Sequence, residues 1–192
     1  PVPQNTPAPT VSPAPASVPY QQYLPPTPVA VKQNQKMGTD KALERISKEP
    51  LLKNKDPLLQ AVAVVESGGK RGLTSPTGVK GLMQVTAATA RDYGLDRDKP
   101  EDNVKAAELH LGRLLNLYDG NPILASAAYN GGEGTIGEAL ELAGSSNWPD
   151  VIEALRYSVT TGKLSASKYR EIVEYPTKVM SAYSAIVGVT NG

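Results

Sequence analysis

A chain of 192 residues with a formal charge of +1 has room for one domain of ordinary size and an appendage, and its near-balanced charge argues for neither nucleic acid nor a strongly charged partner. The absence of cysteine excludes a disulfide framework and thiolate chemistry. No apolar run is long enough to span a bilayer, and no basic-then-apolar signal segment opens the sequence.

Residues Pro1 to about Val31 are rich in Pro, Ala, Thr, Ser and Val, with no charge before Lys32. Proline at this density forbids a helix or an interior strand, so residues 1–36 are expected to form an extended, proline-rich arm or linker. From Thr39 a short amphipathic helix runs to about Lys48, with Leu43 and Ile46 on one face, and Pro50 ends it. Asp56-Pro57 then opens an almost wholly apolar helix, an N-cap followed by a proline suited to the first turn. It carries Leu58 to Val65, reaches Glu66 and Ser67, and stops at Gly68-Gly69. Residues 68–85 are a glycine-rich loop. Further helices are expected from Thr86 to Gly94, from about Glu101 to Tyr118, and from Asn121-Pro122 to Tyr129, where Asn130-Gly131-Gly132 ends the third of them. Thr135–Ala143, Pro149–Arg156 and Ala166–Val187 complete the series. With no phenylalanine, the core must come from Leu, Val, Ile and Ala, which favours helices. The fold class expected is all-α or mainly α, with at most a small hairpin at the loop.

Three elements share one design: an apolar segment delivers polar side chains where it breaks. They are Glu66-Ser67-Gly68, Gly81-Leu82-Met83-Gln84 and Ala128-Tyr129-Asn130-Gly131-Gly132. Glu66 is the chemically suggestive member. A carboxyl at the C-terminus of a buried helix keeps its proton more readily, because desolvation and the negative end of the helix dipole both disfavour the anion. On this stretch alone, the plainer reading of Glu66, a polar residue closing a helix, is the favoured one.

In this order and spacing the elements resemble the lytic transglycosylases of the soluble-lytic-transglycosylase type, within the lysozyme-like fold shared with goose-type lysozyme. That family's Glu-Ser, Gly-x-x-Gly-Leu-Met-Gln and Ala-Tyr-Asn-x-Gly are met here by Glu66-Ser67, Gly78–Gln84 and Ala128–Gly132. Its looser last motif, Glu-Thr-x-x-Tyr-Val, is half met by Glu171-Ile172-Val173-Glu174-Tyr175-Pro176, with Ile for Thr and Pro for Val. The resemblance covers roughly residues 40–187, and the catalytic domain is set at 37–192.

The resemblance implies cleavage of the MurNAc-β-1,4-GlcNAc bond of peptidoglycan with formation of a 1,6-anhydro end. It implies no metal or cofactor and no need for nucleic acid. Glu66 would be the acid and then the base, Ser67 would hydrogen-bond it or the muramyl group, and Met83 and Gln84 would line the sugar subsites. Gly81 and Gly78 would shape a loop close to the glycan. Asn130 would hold the acetamido group or nearby backbone, Tyr129 would pack under the cleft, and Tyr175 would bring its hydroxyl to Glu66, or else be a core tyrosine. Most glycosidases use two carboxylates, and the matching motifs offer no assigned second acid. Asp92, Asp102 and Glu133 sit where caps or solvent-facing roles are expected.

Two other functions fit the same residues. One is a hydrolytic muramidase on the same fold; the other is a structural piece of an envelope-crossing assembly with weak or no activity. The missing export signal favours a phage virion component acting in the host periplasm, with a periplasmic bacterial enzyme as the alternative. Residues 1–31 would then contact other proteins of that assembly. His110, a lone histidine in mid-helix, makes no metal site, and Trp148 reads as a structural anchor or a stacking surface for a sugar.

Overall fold

Helices form where apolar periodicity and caps coincide. The structure is a computed structural model and describes residues 33–75 and 78–190; the expected arm over 1–31 lies outside them. Among the described residues the elements are α1 (Gln33–Ser47), α2 (Pro57–Ser67), α3 (Ala87–Asp92), α4 (Pro100–Leu117), α5 (Pro122–Gly131), α6 (Glu133–Ala143), α7 (Trp148–Thr160) and α8 (Ala166–Thr190). All of the expected helices are present. Helix α1 begins ahead of the expected Thr39, so residues 33–36, assigned to the arm, are helical; no proline interrupts the chain between Gln33 and Ser47.

Helix α2 forms the centre. Asp56 caps it by accepting from the Leu58 N–H at 2.7 Å, and Gly68, at φ 59°, closes it in the left-handed conformation. Leu58, Leu59, Ala61, Val62, Ala63 and Val64 are all buried, as an all-round apolar helix requires. It packs chiefly on α8, with α1 and α4 on its other sides, and α5 lies between α4, α6 and α8. Alanines at 61 and 63, and at 125, 127 and 128, keep α2 and α5 slim enough for close packing. Helix α5 approaches α8 closely at Gly131, where a Cβ would stand 2.8 Å from Ile172 Cγ1. Helix α8 tolerates Pro176 in its interior, which leaves the helix without one N–H donor beside Tyr175.

The expected hairpin is reduced to two isolated bridges, Thr74 with Lys80 and Lys80 with Val85; no strand forms among the described residues. Gly78 and Gly81, at φ 80° and 79°, turn the chain too sharply for a ladder to extend. The family fold expected from sequence is mostly helical, and so is this one.

Candidate active site

Glu66 occupies the last turn of α2, partly buried. The Tyr175 hydroxyl, on α8, donates to Glu66 Oε1 at 2.6 Å. Burial carries the Glu66 carboxyl from its ordinary 4.5 up to about 7; the Tyr175 hydrogen bond opposes the rise, the Glu171 charge adds to it, and Lys168 opposes it. A large fraction of Glu66 is therefore protonated at neutral pH. Tyr175 itself is 5% exposed. Burial and the neighbouring Glu66 hold its phenol well above the ordinary value of 10, so it remains a donor.

The loop 78–85 forms the second wall and is held from within. Asn103 of α4 is 1% exposed, and its side chain makes three bonds, two of them to the loop. Its Nδ2 donates to Lys80 O at 2.9 Å and to Arg97 O at 3.3 Å, while its Oδ1 accepts from Met83 N at 3.0 Å. Gly81 lies directly over this amide: a Cβ there would come within 2.7 Å of Asn103 Cγ. Gln84 adopts φ 48°, a conformation unfavourable for a residue with a Cβ. Its Nε2 offsets this by donating to Gly81 O at 2.8 Å and Leu73 O at 3.0 Å. A cavity of about 140 Å³ beside this loop, lined by Arg71, Leu73, Lys80, Arg97, Asp98 and Asn103 among others, does not include Glu66.

The third wall is the end of α5. The Tyr129 hydroxyl donates to Met83 O at 3.0 Å, and its ring lies 5.6 Å from that of His110, centroid to centroid. Tyr129 thus ties α5 to the loop from beneath. Burial holds its phenol well above the ordinary range, and the Glu66 charge adds to this. Asn130 donates through Nδ2 to Glu171 Oε1 at 2.9 Å, and its carbonyl accepts from Lys168 Nζ at 3.0 Å.

Two expected contacts are absent. Ser67 is buried and turns inward: its hydroxyl donates to Ala63 O at 3.2 Å and accepts from Gly69 N at 3.1 Å, rather than bonding Glu66. A serine one residue past Glu66 points about 100° round the helix, toward the core. Met83 is fully buried, so its side chain packs in the core and only its backbone serves the loop. Asn103, Lys168 and Glu171 have no role that the sequence motifs assign. Glu171 is the glutamate of the half-matched last motif, and it bonds Asn130 and Lys168. Of the other acids, Asp102 accepts from Asp96 N and Glu133 pairs with Arg113. His110 is partly buried between the rings of Tyr93 and Tyr129, and burial, with Arg113 adding, lowers it to about 4, so it stays neutral. Trp148 opens α7 and packs against the core.

The profile of the Transglycosylase SLT domain family matches residues 47–150. The chain is 39% identical over 106 residues to membrane-bound lytic murein transglycosylase F of Yersinia enterocolitica, covering 49% of this chain and 22% of that protein. It is 36% identical over 135 residues to the protein of that name from Thiobacillus denitrificans, covering 62% and 26%. Over 88 residues it is 41% identical to peptidoglycan transglycosylase gp16 of Escherichia phage T7, covering 42% of this chain and 7% of that protein. The X-ray structure of an inactive mutant of lytic transglycosylase Slt from Pseudomonas aeruginosa superposes with a TM-score of 0.55 at 20% identity, covering 83% of this chain and 24% of that one. At that identity the likeness concerns the fold. The chain spans about a quarter or less of the length of these relatives.

Proposed function

The chain belongs to the transglycosylase SLT domain family, and from this membership we propose that it is a peptidoglycan lytic transglycosylase, cleaving the β-1,4 bond between N-acetylmuramic acid and N-acetylglucosamine. The observation that carries the proposal is Glu66, a carboxyl that burial raises to about 7 and that the Tyr175 hydroxyl orients from 2.6 Å. A glycosidic oxygen leaves poorly unless protonated, and Glu66 supplies that proton. As the bond breaks, the sugar's own 2-acetamido oxygen stabilises the positive charge at C1. Glu66, now an anion, takes the proton of the C6 hydroxyl, and O6 bonds to C1. The proton count closes on Glu66, no water is consumed, and the product is a 1,6-anhydro sugar.

Within this reading Tyr175 orients the acid, and Asn130 stands near the acetamido group. Gly81 and Gln84 shape the loop against the glycan, with Met83 and Tyr129 fixing it from below. The rival chemistry is hydrolysis by a muramidase, which a second carboxylate one helical turn before Tyr175 on α8, Glu171, favours. Mass analysis of products from purified cell wall separates the two: an anhydro-muramyl end is one water lighter than a hydrolysed one. Only reducing ends would overturn the transglycosylase reading. A purely structural role in an envelope-crossing assembly predicts no glycan cleavage at all.

We further propose that the protein acts as a virion component that opens the wall locally in the host periplasm, a reading supported by its 41% identity to the phage T7 peptidoglycan transglycosylase. The alternative, a periplasmic bacterial enzyme, draws on the membrane-bound relatives; no helix among the described residues is long and apolar enough to cross a membrane. Residues 1–31 would contact other virion proteins. Mass spectrometry of purified particles tests this, and its absence from them would refute the virion assignment.

A further inference from the structure

The cavity beside the loop 78–85 lies outside the candidate active site, and three cations line it. Arg71 comes from the segment after α2, Lys80 from the loop itself, and Arg97 from the segment ahead of α4. Its volume of about 140 Å³ has room for a carboxylate and the carbon atoms that carry it. The whole chain has a formal charge of +1, so three cations around so small a space are a local feature and not a general basicity.

The cations are fixed from behind. Arg71 donates through Nε to Glu49 Oε2 at 2.8 Å and through Nη2 to Oε1, and Glu49 is 8% exposed. That pair uses one edge of the guanidinium and leaves Nη1 without a bond among the described residues. Asn103 Nδ2 donates to the carbonyls of Lys80 and Arg97 and so sets the backbone that carries the other two cations. Lys80 Nζ meets Asp98 Oδ1 at 2.9 Å on an exposed rim. Arg97 is half-buried and gives Nη1 to Val85 O in a long bond of 3.3 Å. It makes no ion pair among the described residues, and its Nε and Nη2 are uncommitted. Stability of the fold accounts for the Glu49–Arg71 pair and for the Asn103 bonds. It does not account for a half-buried guanidinium kept beside a cavity with one long bond.

Guanidinium groups bind carboxylates through paired N–H donors. The muramic acid of peptidoglycan carries a short peptide with free carboxylates, attached to the same sugar whose C1 bond is broken. A stem of four extended residues reaches about 14 Å from that sugar. The loop 78–85 borders both the cavity and the candidate active site. We propose that the cavity is a second substrate subsite, which takes a carboxylate of the peptide stem on Arg97 and Arg71 with Lys80 at its rim. This rests on the reading of peptidoglycan as the substrate. On binding, Lys80 turns from Asp98 to the ligand, while the Asp98 charge opposes the incoming anion. Strands that keep their stems are then preferred over stripped glycan.

The test titrates the isotopically labelled full chain with an alanyl-γ-glutamyl-diaminopimelyl-alanine tetrapeptide, with the same peptide as its carboxamide, and with inorganic phosphate. The free acid should shift the amide resonances of Lys80, Gly81 and Leu82 and the Arg97 Nε resonance, and the carboxamide should not. Arg97→Gln should weaken binding of the acid about tenfold, which is about 1.4 kcal/mol. Asp98→Asn keeps an acceptor for Lys80 and removes the opposing charge, so it should tighten binding about threefold, a gain that misfolding does not produce. The ratio of kcat/KM for stem-bearing over stripped glycan should fall in Arg97→Gln and rise in Asp98→Asn. Absent shifts with the free acid, equal shifts with acid and carboxamide, shifts from phosphate alone, or wild-type binding in Arg97→Gln each overturn the proposal. Peptide binding without cleavage of either glycan would remove the transglycosylase reading and leave the subsite standing. Cleavage of both glycans at one rate, with no shift from the peptide, would do the reverse.

Discussion

Glu66→Gln should abolish glycan cleavage and at the same time stabilise the protein at alkaline pH. The carboxyl titrates at 4.5 in an unfolded chain and at about 7 here, chiefly because burial disfavours the anion. Its folded-state pKa is raised, so the native state holds the proton more tightly than the unfolded state does. The resulting contribution to stability is complete below about pH 4.5 and is lost as pH rises through 7. The span from 4.5 to about 7, at about 1.4 kcal/mol per pH unit, bounds the loss near 3.5 kcal/mol. Glu66 is partly exposed, and solvent screening reduces this to roughly 2 kcal/mol. Glutamine carries no charge, and its Oε1 can still accept from Tyr175. The variant should therefore melt roughly 4–8 °C above the wild type at pH 8, with the difference nearly gone at pH 4. Calorimetry or circular dichroism across pH reads this directly. A melting difference that stays constant between pH 4 and pH 8 would refute the claim that Glu66 is protonated because it is buried.

Tyr175→Phe removes the donor that opposes the rise in Glu66, so the alkaline limb of the pH–rate profile should move to higher pH while kcat falls roughly 10- to 100-fold, the rate equivalent of losing a hydrogen bond to a charged group; an alkaline limb that stays in place would break the link between this hydroxyl and the acid. Asn103→Ala leaves the Met83 N–H and the Lys80 and Arg97 carbonyls without their partner, and should cost roughly 2–4 kcal/mol in denaturant unfolding, with activity lost through the loop; a loss below about 1 kcal/mol would show that the loop holds itself.

The helices were legible because burial and punctuation agree. Asp56-Pro57 and Gly68 bracket α2 in sequence as they do in space, and Asn121-Pro122 does the same for α5, where the Asn121 side chain accepts from the N–H groups of Ile123 and Leu124. The roles of residues adjoining the motifs were harder to read. Ser67 sits beside Glu66 in sequence, but a helix separates neighbours by about 100°, and only the position of the core decides which of them faces the cleft. Met83 and Gln84 share a motif expected to line the sugar subsites, yet both side chains are buried, Met83 in the core and the Gln84 amide on the Gly81 and Leu73 carbonyls. Glu171 is marked only by a half-matched motif, and Lys168 carries no local signal. Their meaning comes from the docking of α5 on α8, which sequence periodicity indicates as an apolar face without naming the polar groups at its rim.

The bond from Tyr175 to Glu66 spans 109 residues of chain, and the family profile ends at residue 150, before the whole of α8. During synthesis α2 and the Gly81–Gln84 loop therefore leave the ribosome well before the helix that closes over them. Until α8 docks, Glu66 is an exposed carboxylate of ordinary acidity, unable to protonate a sugar oxygen at neutral pH. A chain made only as far as α7 carries the Glu66-Ser67, Gly78–Gln84 and Ala128–Gly132 motifs but lacks the hydroxyl that orients the carboxyl.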